Sequence, residues 1–201
     1  MKRLLFVAVA LSLAGAAEAQ VGTTPTIERV QGVVTDVSDR EITLSETGGK
    51  ADKIALLPDW SVIVSKPISV EEIKPGSYLG TTNYAKPDGT GLSTEVHVSP
   101  PGVGGPGVDF VMDAAAHTTM TNGVVSTVVR SDGGQVLEVN YGSGARRVTV
   151  PRGTPVVLNT RGGRDLVKPG VKARVTTVTP QNGGPPRQFI TVSGSGAPPP
   201  T

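Results

Sequence analysis

The sequence predicts an all-β protein: two tandem five-stranded small barrels joined by a Pro/Gly-rich linker. Short runs rich in Val, Ile and Thr alternate with polar residues and stop at Gly, Pro, Asn or Asp, the pattern of half-buried strands. The chain also repeats itself. Gly32-Val33-Val34 returns as Gly123-Val124-Val125, 91 residues later, and Lys74-Pro75-Gly76 returns as Lys168-Pro169-Gly170, 94 residues later. Thr94-Glu95-Val96-His97-Val98 falls opposite Gln188-Phe189-Ile190-Thr191-Val192 at the same offset of 94. One duplicated unit explains such a register.

The first 19 residues read as a cleaved secretory signal. Lys2 and Arg3 precede an apolar run from Leu4 to Leu13, and Ala17-Glu18-Ala19 supplies a small-residue cleavage site. The run is too short to span a bilayer comfortably, and no second candidate follows, so no transmembrane span is expected. Export to the periplasm, or secretion, is the expected localisation. The chain has no cysteine. Disulfides are therefore ruled out even though an oxidising compartment would permit them.

The first repeat, 27–98, is expected to hold strands near 28–37, 40–46, 51–57 with Val62-Ile63-Val64 as a continuation, 76–84 and 91–98. Ser69 and Glu72 have the spacing of a capping box, and Pro75-Gly76 ends the turn almost at once, so a short helix falls after the third strand. Five strands with a helix after the third is the order of the OB-type Greek-key barrel, with a plain β-sandwich as the competing arrangement. Residues 99–118 form the linker. Its Pro/Gly-rich beginning cannot sustain a central strand, and Ala114-Ala115-Ala116 suggests a short helix within 109–117.

The second repeat, 119–193, returns the same order near 120–130, 134–140, 145–150 with Val156-Val157-Leu158 as a continuation, 170–179 and 187–193. Asp132-Gly133-Gly134 suits a hairpin, because glycine accepts positive φ. Residues 194–201 read as a disordered tail. Alternation turns Ile54, Leu56, Val96, Val98, Val148 and Val150 inward and His97 outward.

Charge is polarised along the chain: residues 20–120 carry −6 and residues 121–201 carry +7. Opposite charges on the halves would draw the two units together, with a docked pair and a dumbbell both open, and they also allow self-association through the opposite-charge halves. Arg146, Arg147, Arg152, Arg161, Arg164, Lys172, Arg174 and Arg187 could face an anionic envelope partner, or serve solubility and meet the acidic repeat.

Catalytic equipment is sparse: the histidines are His97 and His117, and there is neither a G-x-S-x-G elbow nor an H-E-x-x-H pair. The protein is expected not to be an enzyme and to need no cofactor. Gly102, Gly104 and Gly107 match a dinucleotide-binding string, but in a linker between β units it lacks the βαβ context that gives the string meaning. Nucleic acid is excluded as a partner, since Tyr141 is the one aromatic near the stacking face of the basic repeat and the chain is read as exported. His97, Asp113, His117 and Met120 could hold copper or zinc, with Asp113 and His117 four apart on the expected helix.

The recurring Gly-Val-Val opening, the Lys-Pro-Gly after a helical turn, the closing Glu95-Val96-His97-Val98 and Thr119-Met120-Thr121-Asn122 at the start of the second repeat resemble a family of exported bacterial proteins. Its members are of unknown function and contain tandem small OB-like β-barrels, and some are labelled metal transporter permease. The resemblance implies architecture rather than activity. Together these readings predict an exported, non-enzymatic binding or interaction module of the envelope, with a periplasmic metal-binding protein as the alternative.

Overall fold

The computed structural model describes residues 25–100, 107–181 and 183–194. The signal over 1–19, most of the Gly102–Gly107 string and the tail beyond Gly194 lie outside the described residues. In chain order the strands are β1 Thr26–Val37, β2 Glu41–Ser45, β3 Ala51–Ala55, β4 Ser61–Pro67, β5 Tyr78–Ala85, β6 Gly91–Ser99, β7 Val108–Asp113, β8 Thr118–Ser131, β9 Gly134–Asn140, β10 Ala145–Pro151, β11 Val156–Gly162, β12 Lys172–Thr179 and β13 Arg187–Ser193. Two single 3₁₀ turns, Val70–Glu72 and Arg164–Leu166, follow β4 and β11. The fold is all-β.

Most expected strands form where alternation places them. Val62-Ile63-Val64 and Val156-Val157-Leu158 belong to strands of their own, β4 and β11, rather than to continuations of β3 and β10. The turn after β4 forms at the expected box: the Ser69 N–H donates to Glu72 Oε1 at 2.9 Å. Gly76 and Gly170 close the two Lys-Pro-Gly turns at φ +86° and +89°, a conformation open to glycine at little cost.

The sequential division into barrels 27–98 and 119–193 needs correction, because the repeats exchange strands. β1 pairs not with β5 of its own repeat but with β12, Gly32 opposite Ala173. Reciprocally, β8 pairs with β5, Gly123 opposite Leu79. Shifting Gly32 by 91 and Leu79 by 94 converts one pair into the other. The junctions match in the same way: Val34 N–H donates to Val171 O at 2.8 Å, and Val125 N–H to Ser77 O at 2.9 Å. Both opening strands carry a register shift at corresponding places, Val34/Asp36 and Val125/Thr127.

One barrel closes completely. It consists of β8, β9 and β10 with β5 and β6, and the parallel contact of β6 with β10 at Gly91↔Val148 and Leu92↔Thr149 shuts it. Its core mixes Val70, Ile73, Leu79, Val96 and Val98 of the first repeat with Val125, Leu137, Val139, Val148, Val150 and Val156 of the second. The other unit, β1, β2 and β3 with β12, β13 and β4, buries Val34, Ile42, Leu44, Leu56, Trp60 and Val62 against Val167, Ala173, Val175, Ile190 and Val192.

Among the described residues this second unit has no backbone ladder between β3 and β13. Where the closed barrel has Gly91-Leu92, the shift of 94 puts Pro185-Pro186, which have no N–H to donate. The Gln188 side chain bridges the gap instead, accepting from Leu57 N–H at 2.9 Å and donating to Ala55 O at 3.1 Å.

The linker expectation also changes. Residues 108–113 are strand β7 on the outer side of β8, not a helix, and 114–117 make the turn into β8. Asp109 explains the preference: its carboxylate accepts from Thr121 Oγ1 at 2.6 Å and from Arg146 Nε and Nη2 at 2.9 and 2.6 Å, clamping the segment to the barrel.

Candidate functional site in the seam between the barrels

The two units meet where β4 and β11 run antiparallel, and the chain's internal correspondence is centred on one pair there. Ser65 lies opposite Asn159, and 65 and 159 are themselves 94 apart. Both end an apolar run, Val62-Ile63-Val64 and Val156-Val157-Leu158. A polar residue is tolerated there because the barrels leave a cavity over the pair.

The cavity holds about 240 Å³ and is walled by Ser65 and Asn159, by Glu95 and His97 of β6, by Gly80 and Asn122, and by Arg29 and Arg174 from the β1–β12 pair. A neighbouring groove shares Arg29, Glu95 and Arg174 and adds Gln31, Thr82, Thr94 and Met112.

His97 does point away from its own core, as alternation requires, yet it faces the other unit and its side chain is only 27% exposed. Its Nε2 lies 3.3 Å from Glu95 Oε1, and its Nδ1 lies 3.2 Å from Asn159 Nδ2. An amide N–H2 can only donate, so Nδ1 accepts and the neutral ring carries its proton on Nε2, directed at Glu95. Glu95 Oε1 also accepts from Thr82 Oγ1 at 3.4 Å.

Arg174 dominates the opposite wall. It is 7% exposed. Its Nε donates to Gln31 Oε1 at 3.4 Å, while its Nη2 has no partner among the described residues. Burial, and then repulsion from Arg29, hold its guanidinium below the ordinary arginine value, and Glu95 opposes that pull. Ser65 Oγ and Asn159 Oδ1 are likewise buried without a partner among the described residues. Three unpaired polar atoms thus belong to residues that line one cavity, on its two sides.

The metal set is not brought together. His97 and Met120 both border the cavity. Asp113 and His117 occupy the β7–β8 turn, where Asp113 Oδ1 accepts from the N–H groups of Ala115 and Ala116 and His117 adopts φ +53°. His97 pairs with Gly80, whereas Asp113 pairs with Thr118 beside Tyr84. Four residues along β5 amount to roughly 13 Å, far more than one ion can span. Among the described residues no three His, Asp or Glu side chains gather at metal-binding range.

The basic residues scatter likewise. Arg146 is taken up by Asp109, and the contact raises its guanidinium above the usual value. Arg164 stacks on Trp60 with Cζ 4.3 Å from the ring centroid and donates to the carbonyls of Trp60 and Pro58. Arg161, Arg164 and Arg187 border a separate cleft beside Trp60. Arg147 pairs across to Glu138 on β9, and Arg152 sits in the turn after β10. Of the eight basic residues singled out in the sequence, Arg174 is the one that lines the seam cavity. Arg29, Ser65, Glu95, Asn122 and Asn159 escape sequence reasoning, although the polar ending of both apolar runs is a signal that the internal alignment could have revealed.

No protein-family model matches the chain, nor does any curated protein or solved structure. Among the described residues no helix is long and apolar enough to cross a membrane.

Proposed function

We propose that the protein is an exported, non-enzymatic binding module of the bacterial envelope that receives its ligand in the seam between its two β units. The observation that carries this reading is the cavity over Ser65 and Asn159, whose lining residues include three with polar atoms, Arg174 Nη2, Ser65 Oγ and Asn159 Oδ1, buried without partners among the described residues. Buried polar atoms are paired as a rule. A hollow whose lining residues carry several unpaired, buried polar atoms has the character of a ligand site.

A binding role suits the seam better than a catalytic one. Both nitrogens of His97 are already engaged, by Glu95 and Asn159, so the ring offers no free lone pair as a general base. The signal-like start of the chain supports export, and the Gly-Val-Val and Lys-Pro-Gly repeats support membership of the exported tandem-barrel family.

The test is retention from bacterial envelope extract on the immobilised protein and on Ser65→Trp, whose indole fills the cavity. Circular dichroism confirms that the variant keeps its strands. Species held by the parent and lost by Ser65→Trp are expected. Identical retention by both would remove the seam from the account.

A further inference from the structure

Resting on that reading of the seam, we infer that its ligand is a small organic acid: a carboxylate bound by Arg174, carrying next to it a hydroxyl or ammonium that donates to Asn159. The chemistry follows from what each wall lacks. A guanidinium keeps its proton, so Arg174 presents a permanent positive charge, and its Nη2 donor is unused in a residue 93% buried. The complement of such a donor is an oxyanion, and a planar carboxylate fits its geometry.

Glu95 does not already fill that role by hydrogen bonding. Its Oε1 serves His97 and Thr82, and Gln31 is the residue that meets Arg174 Nε. Arg29 adds a second positive charge to the same wall. Burial of the guanidinium and repulsion from Arg29 outweigh the attraction of Glu95, which leaves the wall able to take a further anion.

Asn159 sets the second half of the specificity. Its Nδ2 is committed to His97 Nδ1, which leaves Oδ1 as an acceptor without a donor. A bare carboxylate has nothing to give it; a 2-hydroxy or 2-amino acid does. Ser65 Oγ, opposite Asn159, can donate to the second carboxylate oxygen. The volume of about 240 Å³ corresponds to roughly eight waters at ~30 Å³ each, enough for a three- or four-carbon acid, and the neighbouring groove continues from the same Arg29, Glu95 and Arg174.

The internal correspondence supports a specialised cavity. The position matching Arg174 is Gly80, and the position matching Asn159 is Ser65. A large cation stands on one side and a bare backbone on the other. A Cβ at Gly80 would stand 2.4 Å from Asn122 Oδ1, so the hollow is walled closely there.

The test is a titration of the ¹⁵N-labelled protein with acetate, lactate, alanine and inorganic phosphate, followed by amide chemical shifts. Lactate or alanine is expected to produce saturable shifts centred on Ser65, His97, Asn159 and Arg174, and to bind more tightly than acetate. Arg174→Gln should weaken that binding roughly ten- to a hundredfold, as loss of one charged hydrogen bond does. Arg174→Lys should retain part of it, and Asn159→Ala should erase the preference over acetate. The unchanged amide pattern outside the seam checks that each variant is folded.

Absence of saturable shifts with every probe, binding indifferent to Arg174→Gln, or phosphate outcompeting the carboxylic acids would overturn the inference. If the acids fail while envelope retention still depends on an open seam, the ligand class falls and the binding role stands. Retention indifferent to Ser65→Trp removes the role itself.

Discussion

Asp109 and Arg146 show how a side chain that reads as free charge becomes structural. Their side chains are 13% and 17% exposed, and the bidentate contact at 2.6 and 2.9 Å is reinforced by the Thr121 hydroxyl. Thr121 in turn accepts from Asn83 Nδ2 at 3.1 Å, so the pair belongs to a buried polar chain that ties β7 to β8 and β5. Replacing Asp109 by Leu leaves the guanidinium partly buried and unpaired, at a cost of about 2–3 kcal/mol. Denaturant unfolding of Asp109→Leu checks this, with the largest loss of amide protection expected over 108–113; an unchanged midpoint would contradict it. Arg146, Arg164 and Arg174 read in the sequence as a basic set facing a partner, yet all three contact residues that precede the second repeat. Their charge was legible, but their neighbours depend on which strands meet.

The glycines that open the repeats carry the same constraint at the level of the element. A Cβ on Gly32 would stand 2.6 Å from Ser45 O, and one on Gly123 would stand 2.2 Å from Asn140 O. Backbone carbonyls of a neighbouring strand cannot swing aside as a side-chain tip can. Gly32→Ala and Gly123→Ala should each cost about 2 kcal/mol through forced displacement of β2 or β9. Gly133→Ala, which meets no atom within 4 Å, serves as the control. Equal stability of all three by thermal unfolding would refute the argument. Strand positions were legible here because alternation and turn residues are local signals, as β9 and β13 illustrate. β7 was not, because an alanine triplet favours helix locally while the clamp on Asp109 comes from Arg146, 37 residues away.

Across the whole molecule, the feature that matters most is the path of one connection used twice. From β4 the chain leaves its unit, places Val70 and Ile73 in the other core, and continues into β5; from β11 it returns through Val167 into β12. We read this reciprocity as the mark of a duplicated unit whose copies have traded their last two strands. The sequence could not distinguish traded from untraded strands, since both satisfy the same alternation and the same matched registers and differ only in the route between them. Exchange also spreads the acidic and basic halves over both units, which removes the electrostatic basis for head-to-tail association of oppositely charged barrels. It creates the seam as well: Ser65, Asn159, His97 and Arg174 share one cavity because β4 and β11 run side by side between the two units.

Cross-strand nuclear Overhauser contacts test this exchange most directly. The exchanged fold requires contacts between Gly32 and Ala173 and between Leu79 and Gly123. Contacts between Gly32 and Leu79, or between Gly123 and Ala173, would mean that each repeat closes on itself, and would contradict both the exchanged fold and the seam built from it.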